Sequence, residues 1–322
     1  MKVLIPIVIG LLVVGCGKKS VEPVAKRGQK TVTQNEGPLT SKSQVDAETT
    51  ERLETKKKKS ALEKAGYKGR VKSVKLVGPH LVQISKFDKK GNLIENTIGS
   101  DIKAIYNYDN NGNLAEMVFS EKGEVTETRD YDYDGKGNQV QMVVRDGSGE
   151  ITEKHIFKYD VDGNKVERVQ YNKGKFFRKY TFKYDNKGNE IEMLHEKSNG
   201  DITSRNTTLY DRKGNEVARI GYLPSGKILV KITFRYDVKG NKIEMTRHDI
   251  NGKVFSNHIF KYDAKGDLIE RVIGGIGGYS KISYKNDKMS NPVKAETHKS
   301  WDGGKTWSDP PSVESWEYVY WD

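Results

Sequence analysis

Six histidines, one cysteine and a recurring Asp–Asn pairing are the groups in this 322-residue chain whose types and spacing could do chemistry. The histidines are His80, His155, His195, His248, His258 and His298. None stands at a metal-ligand spacing such as H-x-x-x-H. His155 and His258 each lie four residues before the Tyr of a repeated motif, so repeat geometry accounts for them. Asp109 with Asn111, or Asp160 with Asp162, could offer oxygen ligands to calcium. Those loops supply few carboxylates and no distal bidentate Glu, so turn formation is their expected role. No Gly-rich loop follows a strand and opens a helix, as a phosphate cradle would. No acid–base pair can be singled out among 44 Asp and Glu. The chain is therefore read as non-enzymatic, with no cofactor, no metal and no catalytic residue.

The elements that carry these groups are repeats. An aromatic-Asp-x-x-Gly-Asn unit begins at Phe87, Tyr108, Tyr133, Tyr159, Tyr184, Tyr210, Tyr236 and Tyr262, the last copy ending in Asp. Successive aromatics stand 21, 25, 26, 25, 26, 26 and 26 residues apart. A looser Gly turn falls between copies, as in E-K-G-E from Glu121 and S-N-G-D from Ser198. Two turns of about four residues and two strands of about nine fill each period. Parallel strands would need longer crossovers, so the sheet is expected to be an antiparallel meander.

Alternation supports the strands. Two residues before the repeat aromatic stand Tyr106, Tyr131, Phe157, Phe182, Phe234 and Phe260, with Thr208 as the exception. Between them and the Tyr lie Asn107, Asp132, Lys158, Lys183, Arg235 and Lys261. This is the period of a half-buried strand. Seven residues after the aromatic come aliphatics such as Ile94, Val166, Ile191 and Ile269, each followed by Glu. We expect one face of stacked aromatic and aliphatic columns, and an opposite face where Lys or Arg pairs with Glu across the hairpin. In the turns, Asp109, Asp160, Asp185, Asp211, Asp237 and Asp263 are expected to accept backbone amides after Tyr108, Tyr159, Tyr184, Tyr210, Tyr236 and Tyr262. Gly112, Gly163, Gly188, Gly214, Gly240 and Gly266 supply the left-handed turn residue, as Gly137 does after Tyr133.

The N-terminus has another character. Val3–Val14 is apolar apart from Pro6 and Gly10, follows Lys2, and ends at Gly15-Cys16. It is too short for a transmembrane helix. The string L-V-V-G-C resembles a bacterial lipobox. The resemblance implies a signal peptide over 1–15 and Cys16 as the lipidated first residue, with Gly17 pointing to the outer membrane of a two-membrane bacterium. The protein is accordingly expected to be exported and held at a membrane through Cys16. Residues 16–46 read as a disordered tether, 47–66 as a short helix stopped by Gly66, 67–283 as the repeat domain and 284–322 as a capping region. With a single Cys no internal disulfide is possible. The net charge is +12, but outside the run Lys56–Lys59 basic and acidic side chains alternate as a solvated face.

The Y-D-x-x-G-N unit at this spacing resembles the YD (RHS-like) repeat, over Phe87 to about Ile273. That family includes bacterial polymorphic toxins and surface adhesion proteins whose hairpin strips spiral into shells or stalks. With eight units and no variable toxin domain, a curved or barrel-like all-β strip is implied. Ser300, Asp302, Gly304, Thr306 and Trp307 resemble an Asp-box hairpin, a structural turn of sialidases and other extracellular β proteins. The resemblance implies that Asp302 binds backbone amides and Trp307 packs beneath, in a hairpin that protects the last sheet edge. Trp301, Trp307, Trp316 and Trp321 make that end aromatic-rich, and core packing is their expected role.

The leading functional expectation is a non-catalytic cell-envelope scaffold that binds a protein or polysaccharide partner, and no nucleic acid. The outward Lys158, Lys183, Arg235 and Lys261 would favour an acidic polymer. The alternatives are a carbohydrate-acting enzyme, which would gather two carboxylates among the Trp residues, or an accessory component of a toxin or secretion system. A membrane-spanning β-barrel is disfavoured by Arg168, Arg219 and Arg271 on the aromatic face and by the lipobox.

Overall fold

The computed structural model describes residues 60–322. The signal peptide, Cys16, the tether and most of the expected helix lie outside them. Within them that helix is α1, Ala61–Ala65. Ser60 caps it: its hydroxyl accepts from the Glu63 amide, and the Glu63 carboxylate accepts from the Ser60 amide. Gly66, at φ 78°, ends it.

The rest is one sheet of twenty antiparallel strands. The strand after α1 is β1, Val71–Val77. Nine hairpins follow: β2 and β3 (Val82–Phe87, Leu93–Ile98), β4 and β5 (Ile102–Tyr108, Leu114–Glu121), β6 and β7 (Glu124–Tyr133, Gln139–Asp146). Next come β8 and β9 (Ile151–Tyr159, Lys165–Asn172), β10 and β11 (Lys175–Tyr184, Glu190–Lys197), β12 and β13 (Ile202–Tyr210, Glu216–Tyr222). The last are β14 and β15 (Ile228–Tyr236, Lys242–His248), β16 and β17 (Val254–Tyr262, Leu268–Gly275), β18 and β19 (Gly278–Asn286, Pro292–Ser300), before β20 (Ser312–Tyr320). Each strand pairs with its sequence neighbours, and β20 pairs with β1, closing a barrel.

The turn chemistry is as expected from the motif. The Asp185 carboxylate accepts from the amides of Lys187 and Asn189 at 2.9 Å and from the Asn189 side chain at 2.9 Å. The Gly188 amide donates to the Asp185 carbonyl, and Gly188 sits at φ 74°, where a Cβ would be strained. Asp160 makes the same bonds to Asn164 with both of its oxygens.

Two features differ from the sequence reading. First, each hairpin carries a β-bulge beside the turn. Lys183 pairs with Glu192 but Tyr184 pairs with Glu190, so Ile191 is left over. The aliphatics seven residues after the aromatic are these bulge residues. Ile94, Ile191 and Ile269 are exposed and do not join the aromatic column. The aromatic two residues before the Tyr instead faces Met or Arg: Phe182 opposes Met193, and Phe157 opposes Arg168.

Second, there are ten hairpins, not eight. The turn Asn286–Asn291 has neither the Tyr nor the Gly of the motif, yet the Asp287 carboxylate accepts from Met289 and Asn291 amides. Ser290 takes the glycine's place at φ 66°. The tenth hairpin is split between the ends of the chain. Tyr320 pairs with Val71 beside a bulge, and the Trp321 amide donates to the Arg70 carbonyl, 2.8 Å away. Those are the bonds that Tyr184, Glu190, Asp185 and Asn189 make within a continuous hairpin. The expectation of a capping region at 284–322 is thereby corrected. Its three strands belong to the barrel wall, and no edge is left to cap. Position 283/284 lies inside β18.

The aromatic face is the inner one: Tyr106, Phe157 and Phe234 are buried, whereas the Lys158, Lys183 and Arg235 side chains are mostly exposed. One core cluster lies at the seam, where Leu62, Val71, Val74 and Phe87 are buried against Tyr67, Trp316 and Tyr318. A second cluster, Ala104, Tyr106, Met117 and Phe119, continues it along β4 and β5. A ring this wide is not filled by its own side chains, and much of the remaining inner wall is only half-buried.

Candidate functional site

The repeat tyrosines are structural on both counts, packing and hydrogen bonding. Each points its hydroxyl at the preceding hairpin. Tyr108, Tyr133, Tyr159, Tyr184, Tyr210, Tyr236 and Tyr262 donate to the carbonyls of Leu93, Leu114, Gln139, Lys165, Glu190, Glu216 and Lys242. All seven bonds are 2.8 or 2.9 Å long. Asn286 does the same to Leu268, and Tyr318 to Pro292. Burial of the phenols pushes Tyr108, Tyr133 and Tyr184 up to about 12. Phe87, which has no hydroxyl, is instead buried in the seam core against Tyr67.

The outer face is a lattice of ion pairs. Lys158 meets Glu167, Lys183 meets Glu192, Arg235 meets Glu244 and Lys261 meets Glu270. Glu192 also takes Arg205, at 2.6 Å. The four cations expected to draw an acidic polymer thus each have a carboxylate already, which cancels most of their attraction. Among the described residues no helix is long and apolar enough to cross a membrane.

At Ser300–Trp307 the side chain of Asp302 accepts from the amides of Lys305 and Thr306 and from the Thr306 hydroxyl. The Ser300 hydroxyl donates to Asp302 and accepts from the Gly304 amide. These bonds hold the Asp302 carboxyl far below the usual carboxylate range. The Trp307 ring lies over Gly304, and Lys281 sits 5.0 Å above that ring. The four tryptophans do not gather. Trp316 packs in the seam core, Trp321 lies under Lys72 and Lys89, and Trp301 is 74% exposed.

The inner wall from β8 to β12 carries a polar network that sequence reasoning had not assembled. The buried His155 lies between Glu153, 2.9 Å from its Nε2, and Arg168, 3.2 Å from its Nδ1. Arginine can only donate, so Nδ1 accepts and Nε2 carries the proton toward Glu153. Burial holds His155 below the ordinary histidine range. The buried Gln170 donates to Glu153 and Asn172 and accepts from Arg178 Nε at 2.7 Å. Tyr180 stacks on His195, with ring centroids 4.7 Å apart. The Cζ atoms of Arg168 and Arg178 lie 5.4 and 5.6 Å from the Tyr180 ring centre. A related pair recurs four hairpins on, where Arg271 donates to Nδ1 of His258 at 2.8 Å. Burial and the Arg271 charge lower His258 to about 4. The alternation that places Tyr184 inward also places Arg178, six residues earlier, inward, and that was the available signal.

No family model matches the chain, and no curated protein matches it. Among solved structures it is similar to the TcdB2-TccC3 complex, at 15% identity and a TM-score of 0.41. That similarity covers 72% of this chain and 13% of the other, so the chain spans a small part of that protein. A Tc holotoxin pore from Photorhabdus luminescens is similar at 12% identity and a TM-score of 0.31, over 70% of this chain and 15% of that one. A porin-like protein from Bacteroides uniformis is similar at 9% identity and a TM-score of 0.38, over 77% and 98%.

Proposed function

We propose that this chain is a cell-envelope lipoprotein, anchored through Cys16, whose hairpin barrel is a non-catalytic binding scaffold. The observation that carries the reading is what the recurring carboxylates do. The repeat Asp is spent on its own turn, as Asp185 is, and the repeat Glu on cross-strand cations, as Glu192 is. Side chains committed in this way build a wall and are poor candidates for proton transfer. The L-V-V-G-C string and the YD-repeat resemblance support a location outside the cytoplasm for such a wall. The Asp-box-like turn belongs to the same extracellular repertoire.

The test is a set of acidic and neutral envelope polysaccharides offered to the full chain in non-ionic detergent, at low and high salt, beside a hydrolase screen. Binding without turnover is the expected result. Turnover of any glycan, abolished by replacing a single carboxylate, would overturn the non-catalytic reading.

A further inference from the structure

The described arginines fall into those with a carboxylate at ion-pair distance and those without, the latter including Arg271 beside His258. Arg129, Arg145, Arg205, Arg219 and Arg235 each have a carboxylate at ion-pair distance. Arg168 and Arg178, among the described residues, have none, although both are half-buried on the inner wall. Their described hydrogen bonds go to neutral partners, Arg168 to His155 and Arg178 to Gln170. Two partly desolvated cations within 5.6 Å of one ring centre repel each other, and the carboxylate of their network, Glu153, reaches them only through His155 and Gln170, one negative charge for two positive ones. Beside them, Nε2 of His195 is buried with no hydrogen-bond partner. Its Nδ1 is taken by the Thr203 hydroxyl at 2.8 Å, which leaves Nε2 as the open position of the ring.

We propose that Arg168, Arg178 and His195 form an oxyanion-binding site on the inner wall, taking the carboxylate or phosphate group of a ligand that enters the barrel. The planar guanidinium fork matches either group. Nε of Arg178 and Nε and Nη2 of Arg168 are engaged by Gln170 and His155, which fixes both forks and leaves the remaining N–H groups for the anion. Tyr180, held between His195 and the two arginines, is the platform that sets their spacing. An arriving anion adds a second negative charge beside the two arginines, where Glu153 supplies one at a remove. Arg178 and Lys197 help to hold His195 below the ordinary histidine range, after burial itself, and a bound anion opposes that effect.

This inference does not depend on the anchor, and it puts binding inside the barrel instead of on the ion-paired exterior. Its test is titration of the full chain in detergent with inorganic phosphate, with glucuronate and with an oligouronate, following the His195 ring signals by NMR and the heat of binding. Saturable binding that raises the His195 pKa is expected, weakened about tenfold or more in Arg178→Gln and in Arg168→Gln. Lys183→Gln, on the outer face, should bind as the parent does. Preference for phosphate over both uronates would identify a phosphoryl ligand; preference for the oligomer would identify an acidic glycan. Absence of saturable binding to all three would overturn the proposal. So would binding that leaves His195 unmoved or that Lys183→Gln weakens equally. If the arginine variants fail to fold, the His195 signals of the parent protein decide the question alone.

Discussion

The hydroxyl of Tyr184 donates to the main-chain carbonyl of Lys165, 2.8 Å away in the preceding hairpin. The ordinary sheet hydrogen bonds already join these hairpins, so the phenol adds a second tie near the turn, where the bulge interrupts the ladder. Repeated around the wall, this bond explains why the motif prefers Tyr to Phe.

Two substitutions separate that bond from packing. Tyr184→Phe should destabilise by about 1 kcal/mol, the usual net value of one such bond. Tyr184→Ala should cost about 3 kcal/mol or more, because the ring is lost as well. Lys183→Ala, one residue away on the outer face, should cost well under ~1 kcal/mol. Urea melts measure all three, and equal costs would contradict the assignment of faces.

Stability should fall on both sides of neutrality. The buried phenols titrate at about 12 in Tyr108, Tyr133 and Tyr184, against 10.0 for a free phenol. The unfolded chain loses its protons first, so stability present below pH 10 is lost as the pH rises through 12. His258 behaves oppositely. It titrates at about 4 when folded and 6.5 when free, so its contribution is present above pH 6.5 and fades as the pH falls to 4. Melting temperatures across the pH range check both limbs, and His258→Gln should flatten the acid limb.

Asn291 is fully buried at the seam, where its side chain accepts from the Lys68 amide and donates to the Lys68 carbonyl and the Tyr320 hydroxyl. Asn189 occupies the same turn position, but among the described residues its side chain bonds to Asp185. Asn291→Ala strands buried groups at both ends of the chain and should cost about 2 kcal/mol more than Asn189→Ala. Denaturant melts of the pair measure the difference, and equal losses would mean that the seam is no tighter than any other junction.

Cys16→Ser tests the anchor. The variant should leave the membrane fraction or accumulate as a heavier, unprocessed chain. Unchanged fractionation together with unchanged mass would rule out lipidation at this residue.

The hairpin repeat, the turn roles of Asp and Gly, and the inward aromatics beside outward Lys and Glu could all be read from the sequence. They depend on local rules: side chains alternate along a strand, and a left-handed turn position wants Gly. The bulge at Ile191 could not be read, because it shows only when two strands are set in register, and such bulges leave Ile94, Ile191 and Ile269 exposed instead of in the aromatic column. The ninth turn escaped because Ser290 and Asn286 replace the two residues that mark the motif, while Asp287 still makes its bonds. Closure was beyond reach for a different reason. Whether β20 meets β1 depends on twist and bend accumulated over ten hairpins, and no local pattern carries that sum. The same holds for the inner site. Arg168, Arg178 and His195 belong to three strands, and only the register of β9, β10 and β11 brings them to one tyrosine ring.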